Sequence, residues 1–104
     1  KNYAMGKMHF VLYLNPPRPD FAHTMSEAEL AVMKQHVAYW KEYVDKGIML
    51  VLGPVMHPHG VYGLGIVEVE SEEQLHTLMN NDPATSLNTY EYYPMRAVTA
   101  KKQG

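Results

Sequence analysis

Hydrophobic and polar positions alternate in some stretches of this chain and step by three and four in others. "MHFVLYL", 8–14, alternates imperfectly and is rich in Phe, Val and Tyr, which predicts a mostly buried strand. "NPPRPDF", 15–21, carries three prolines and reads as a loop. Thr24 or Ser26 can cap the helix that follows, and Ser26-Glu27-Ala28-Glu29 fits a capping box. That helix should run to about Lys46, with Gly47 ending it in a left-handed conformation. Leu30, Met33, Val37, Trp40 and Val44 step along it as one apolar stripe. "IMLVLGPVM", 48–56, is a continuous apolar run with Gly53-Pro54 near its end, which reads as a central strand with a bend. "HPHG", 57–60, is a turn, and "VYGLGIVEVE", 61–70, returns as a hairpin strand. Ser71 caps a second helix, "SEEQLHTLMNN"; "DPATSLN" is a loop; "TYEYYPMRAVTA", 89–100, is a last strand.

The order β-α-β-β-α-β predicts an α+β, ferredoxin-like domain with two helices on one face of a four-stranded antiparallel sheet. One face of such a sheet stays open. Tyr13, Leu50, Leu52, Ile66 and Tyr92 cannot all lie under the helices with their neighbours. An apolar open face needs a partner, and a second copy related by a two-fold axis is the simplest one. Two such sheets facing each other form a dimeric α/β barrel.

Composition narrows the function classes. The 104 residues hold one domain, placed at 8–98, and residues 1–7 have no periodicity and read as a disordered or partly non-native N-terminus. A net charge of −2 and no basic run beyond Lys101-Lys102 argue against nucleic acid as a partner. The chain has no cysteine, which excludes disulfides, thiolate nucleophiles and cysteine metal sites. No apolar run approaches a membrane span, so no membrane partner is expected and a cytoplasmic location is the simplest reading.

Two residues stand out as candidate chemistry. His36 lies about 75° from the centre of the first helix's apolar stripe. It shares a second row with Val32, Tyr39 and Tyr43, half apolar and half polar, as at the rim of a pocket. It is either an edge residue bonded to a carbonyl or the working group of a site. Asp82-Pro83 follows the second helix, where aspartate is a good cap and proline suits the first position of a short helix.

His36 in "QHVAYWKEYVDKGIMLVLGPV", Gly47, Gly53-Pro54, Asp82-Pro83 and Pro94 in "YEYYPM" together resemble the YCII-related family over nearly all of the chain, about 8–98. The resemblance implies a ferredoxin-like fold, a dimeric α/β barrel, and a His–Asp pair proposed as catalytic, carried onto His36 and Asp82. Members often follow Asp-Pro with an aromatic residue and a glycine-containing turn. Here Ala84 follows and "DPATSLNTY" has no glycine, so no relative's substrate is carried over.

A carboxylate bonded to one ring nitrogen fixes the tautomer of a histidine and favours the imidazolium once a proton is taken. His36 is then a general base and Asp82 its orienting partner, suited to an isomerase or lyase acting on a small organic molecule without a cofactor. Tyr39, Trp40 and Tyr43 are candidate substrate contacts, and Arg18, the only cation of the proline-rich loop, is a candidate grip for a carboxylate. His57 and His59 invite a metal reading, but no acidic residue lies nearby and no metal is expected there. The other reading is a non-catalytic ligand-binding or accessory module on the same scaffold.

Overall fold

The computed structural model describes residues 7–100. Strand β1 (Met8–Asn15) leads through the proline-rich loop into a single helical turn, α1 (Phe21–Thr24). The long helix α2 (Glu27–Asp45) follows, then β2 (Met49–Val55) and β3 (Tyr62–Val69). Helix α3 (Glu72–Asn80), a 3-10 turn at Pro83–Ser86 and β4 (Thr89–Met95) complete the chain. The four strands are antiparallel in the order β2-β3-β1-β4, the ferredoxin-like arrangement. Of the N-terminal segment 1–7, residues 1–6 lie outside the described residues.

Helix α2 is bounded by the signals its sequence carries. Ser26 Oγ accepts from Glu29 N–H at 3.1 Å, and the Glu29 side chain accepts from Ser26 N–H at 2.9 Å, closing the capping box. At the other end Gly47 takes φ +79°. Its N–H reaches Val44 O at 3.0 Å, and Ile48 N–H reaches Tyr43 O at 2.9 Å, the two bonds of a Schellman motif. Ser71 caps α3 by accepting from Gln74 N–H at 3.0 Å.

Four expectations need correction. β2 is an edge strand, not a central one; Pro54 costs no ladder bond at an edge, and a register shift between Met49 and Val51 supplies the irregularity. β4 ends at Met95 rather than 100. The proline-rich segment does not stay a loop through Phe21, because α1 begins there and buries the Phe21 side chain. The apolar stripe of α2 is also not its buried face: Leu30, Val37 and Val44 are 42, 58 and 41 % exposed, and only Trp40 of that row is fully buried. The row turned to the protein is Glu29, Val32, Met33, His36, Tyr39, Trp40 and Tyr43. At about 100° per residue its mean direction falls on His36 itself.

The core lies between the helices and one face of the sheet. Phe10 and Leu12 of β1, Val67 and Val69 of β3, Trp40 of α2, Met49 of β2, and Leu75, Leu78 and Met79 of α3 form one cluster. Register separates the two faces. Leu52 and Tyr92 pack against this cluster. Tyr13 and Ile66 lie on the opposite face, in register with Leu64 and Val11 respectively. That face also carries Val51 and Tyr93, 54 and 51 % exposed, and a tyrosine group in which the Tyr13 ring lies 5.8 Å from Tyr62 and 6.1 Å from Tyr93. No described helix is long and apolar enough to cross a membrane.

Candidate functional site

Helix α3 ends at Asn80, and Asn81 caps it. The chain then extends at Asp82 and turns again at Pro83, which occupies the first position of the 3-10 turn. Asp82 Oδ1 accepts from Ala84 N–H at 2.9 Å, so the capping role is real. Its other oxygen does something else. Oδ2 accepts from His36 Nδ1 at 2.8 Å, Trp40 Nε1 at 2.9 Å and the Tyr90 hydroxyl at 2.5 Å. Trp40 Nε1 also reaches the Tyr90 oxygen at 3.1 Å. The Asp82 side chain is 0 % exposed and that of His36 11 %.

The sequence makes this convergence possible. His36 and Trp40 are four apart and share one face of α2. Tyr90, the second residue of β4, is on the helix-facing side, in register with buried Leu14. Burial pushes the Asp82 carboxyl up, but the bonds from His36, Tyr90 and Ala84 N–H outweigh it and hold the group below its ordinary value. The Tyr90 hydroxyl is driven the other way, by burial first and then by the Asp82 charge beside it. It therefore stays a neutral donor across the physiological range.

His36 borders a cavity of about 400 Å³ between α2, the α1 loop and the helix-facing side of the sheet. With Nδ1 donating to a carboxylate, the neutral ring carries its lone pair on Nε2. Nε2 makes no hydrogen bond among the described residues, and His36 is one of the residues that line the cavity. Phe21, Met25, Met33, Leu52 and Tyr62 line much of the rest, and Gly63 and Gly65 form part of the sheet side. Asn88 joins them, its amide donating to Ala84 O at 3.0 Å.

Of the other residues expected at the site, Trp40 is drawn to Asp82, but as a fully buried donor that does not line the cavity. Tyr39 donates to Leu78 O at 2.7 Å, and Tyr43 packs against Tyr39 and Trp40; neither reaches the cavity. Burial raises the Tyr39 hydroxyl well above its ordinary range. Arg18 is engaged elsewhere: its guanidinium holds Glu29 at 2.8 and 3.0 Å and Thr24 O at 2.7 Å, which pins the α1 loop onto α2. His57 and His59 stand exposed in their turn with His59 N–H bonded to His57 Nδ1 at 3.0 Å. Among the described residues no cluster of three or more His, Cys, Asp or Glu is placed to hold a metal. Tyr90 is the site residue that sequence reasoning missed. The period-two parity of "TYEYYPM", which sets Tyr90 and Tyr92 on one face and Tyr93 on the other, is the signal that carries it.

The fold has counterparts among solved structures. One is 5-chloro-2-hydroxyhydroquinone dehydrochlorinase (TftG) from Burkholderia phenoliruptrix AC1100, in complex with 2,5-dihydroxybenzoquinone; it is 22% identical, with a TM-score of 0.67 over 86% of this chain and 94% of that one. A weaker similarity is to SnoaB, a cofactor-independent oxygenase from Streptomyces nogalater, 9% identical, with a TM-score of 0.49 over 94% of this chain and 99% of that one. Curated proteins include no match to the chain. Residues 8–99 match the YCII-related domain, and the chain belongs to that family.

Proposed function

We propose that this chain is a small cofactor-independent enzyme that moves a proton on a small organic molecule, as an isomerase or lyase does. The supporting observation is the 2.8 Å bond from His36 Nδ1 to a carboxylate that is itself 0 % exposed, beside a cavity that Nε2 can face. His36 Nε2 takes a proton from a C–H or O–H of the substrate. The imidazolium that results keeps Nδ1–H on Asp82, whose charge now has a partner. The proton then returns at a second atom of the substrate, or a leaving group departs. Trp40, Tyr90 and Ala84 N–H are positioning groups: they fix Asp82, and Asp82 fixes the imidazole.

A second copy of the chain belongs to the same reading. The open sheet face carries Val51 and Tyr93 about half exposed beside the Tyr13 and Tyr62 rings, and a partner sheet laid on it would remove that apolar surface from water. Cytoplasmic residence is kept as part of the proposal, since a chain without cysteine suits a reducing compartment.

The non-catalytic binding module remains the competing reading, favoured by the almost wholly apolar cavity lining. Deuterium wash-out from a panel of enolisable carbonyl compounds, followed by proton NMR, separates the two. The enzyme reading expects exchange that is lost in His36→Gln and reduced in Asp82→Asn. Equal exchange in wild type and His36→Gln would sink it.

A further inference from the structure

We propose that the cavity selects a flat, uncharged ring bearing an acidic O–H or activated C–H, and rejects carboxylates. This rests on His36 being the base of the site, and three features of the cavity carry it further.

The first is charge. Among the described residues, no Lys, Arg, Asp or Glu lines the cavity. Arg18, the cation closest in sequence to the cavity-lining α1 loop, is spent on a bidentate bond to Glu29 and on Thr24 O. Behind His36 stands the ionised Asp82. A carboxylate entering here would lose its water to an apolar wall and find no fixed cation, with a negative charge one residue away. A neutral acid avoids that cost. It becomes an anion only as its proton reaches Nε2, when the imidazolium beside it supplies the counter-charge.

The second is shape. Gly63 and Gly65 lie on the helix-facing side of β3, opposite Leu14 and Leu12. A Cβ built at Gly63 would stand 3.2 Å from Leu14 Cβ, and one at Gly65 2.9 Å from Met49 Cε. At these two positions the side chains of Leu14, Met49 and Leu52 settle onto the strand backbone, in space that a side chain on β3 would take. The missing Cβ atoms let those side chains lie low against the sheet, and a planar ring makes the most contact with a low, close-packed floor.

The third is the lining opposite and around that floor. Met25 and Met33 approach from the α1 loop and α2, with Phe21 and Tyr90. Thioethers are polarisable and favour aromatic neighbours, and about 400 Å³ is at the small end of ligand sites.

The test uses the intact wild-type chain and four related probes, on the acid side of neutrality: 4-nitrophenol, nitrobenzene, 4-nitrobenzoate and 2,6-di-tert-butyl-4-nitrophenol. Calorimetry reads affinity, and absorbance reads whether the bound phenol has lost its proton. The expectation is saturable binding of 4-nitrophenol at least about tenfold tighter than 4-nitrobenzoate, since one unpaired buried charge costs more than that factor. Nitrobenzene should bind, and the di-tert-butyl phenol, whose bulk leaves the ring plane, should not. The phenolate band should develop on the wild type and be absent on His36→Gln. Equal or tighter binding of 4-nitrobenzoate overturns the charge selection, equal binding of the bulky phenol overturns the flat floor, and no saturable binding of either 4-nitrophenol or nitrobenzene overturns the proposal entire. If 4-nitrophenol is preferred but stays protonated when bound, the selection stands and the base assignment of His36 fails.

Discussion

Asp82 and Glu29 are both capping residues, and each reaches back to a basic side chain from a different part of the chain. Glu29 accepts from Ser26 N–H at the start of α2 and from Arg18. Asp82 accepts from Ala84 N–H at the start of the 3-10 turn and from His36. The Arg18 bond, with Ser26 N–H, lowers the Glu29 carboxyl to about 2, and the Asp82 carboxyl is lowered as well. What separates them is the company they keep. Glu29 has a permanent cation and remains partly open to water; it fastens a loop. Asp82 is closed off and held by uncharged donors, so its charge has no permanent counter-ion. The neighbour in contact with that carboxylate that carries a ring nitrogen able to exchange a proton is His36. Burial with neutral donors, rather than the number of bonds, separates the acid that staples a loop from the one proposed to orient a base.

Substitution can break that comparison in several places. Asp82→Ala should have the largest effect, about 3–5 kcal/mol of stability, because His36, Trp40 and Tyr90 all lose their acceptor; urea denaturation measures it. Asp82→Asn keeps the volume and should cost less. It should also flatten the acid limb of the stability curve. The Asp82 carboxyl is lower in the folded chain than its unfolded value of about 4, so its contribution is present above that pH and drains away as pH falls through the folded value. A wild-type acid limb unchanged in Asp82→Asn would mean that another group dominates.

Tyr90→Phe removes one of the bonds on Oδ2 and should cost about 1–2 kcal/mol in the same denaturation assay. The loss should be accompanied by a shifted His36 resonance in NMR titration, and an unmoved resonance would argue that Tyr90 packs without positioning. Ser26→Ala should cost about 1 kcal/mol by loss of the cap, with no change at His36. Glu29→Gln should be the mildest. Its effect on stability should be small and should shrink as salt is raised, the behaviour of an ion pair partly open to water. If Glu29→Gln proved as damaging as Asp82→Asn, the contrast between the two acids would fall.

The sequence carried the fold further than the site. Caps at Ser26 and Ser71, a left-handed glycine at Gly47 and period-two strands are local signals, and local signals survive in one dimension. The position of β2 does not: a continuous apolar run reads as central, yet it lies at an edge, because its neighbours are set by topology. Helix α2 shows the same limit. Counting apolar residues selects Leu30, Val37 and Val44, whereas the helix buries side chains with an apolar body and a polar tip, Tyr39, Trp40, Tyr43 and His36. The pairing of His36 with Asp82 came from family resemblance, since no periodicity links residues 46 apart. Tyr90 was hidden among eight tyrosines that composition treats alike.

The indole of Trp40 adds one last consequence. It is the only tryptophan in the chain, and its N–H donates to the same carboxylate oxygen that holds the imidazole. Excited beyond the tyrosine absorption band, this protein therefore emits from a single fluorophore wired to the charge state of its candidate base. Protonating His36, or placing an anion beside it, changes the field across the ring, so an unlabelled sample in a cuvette reports on both folding and ligand entry.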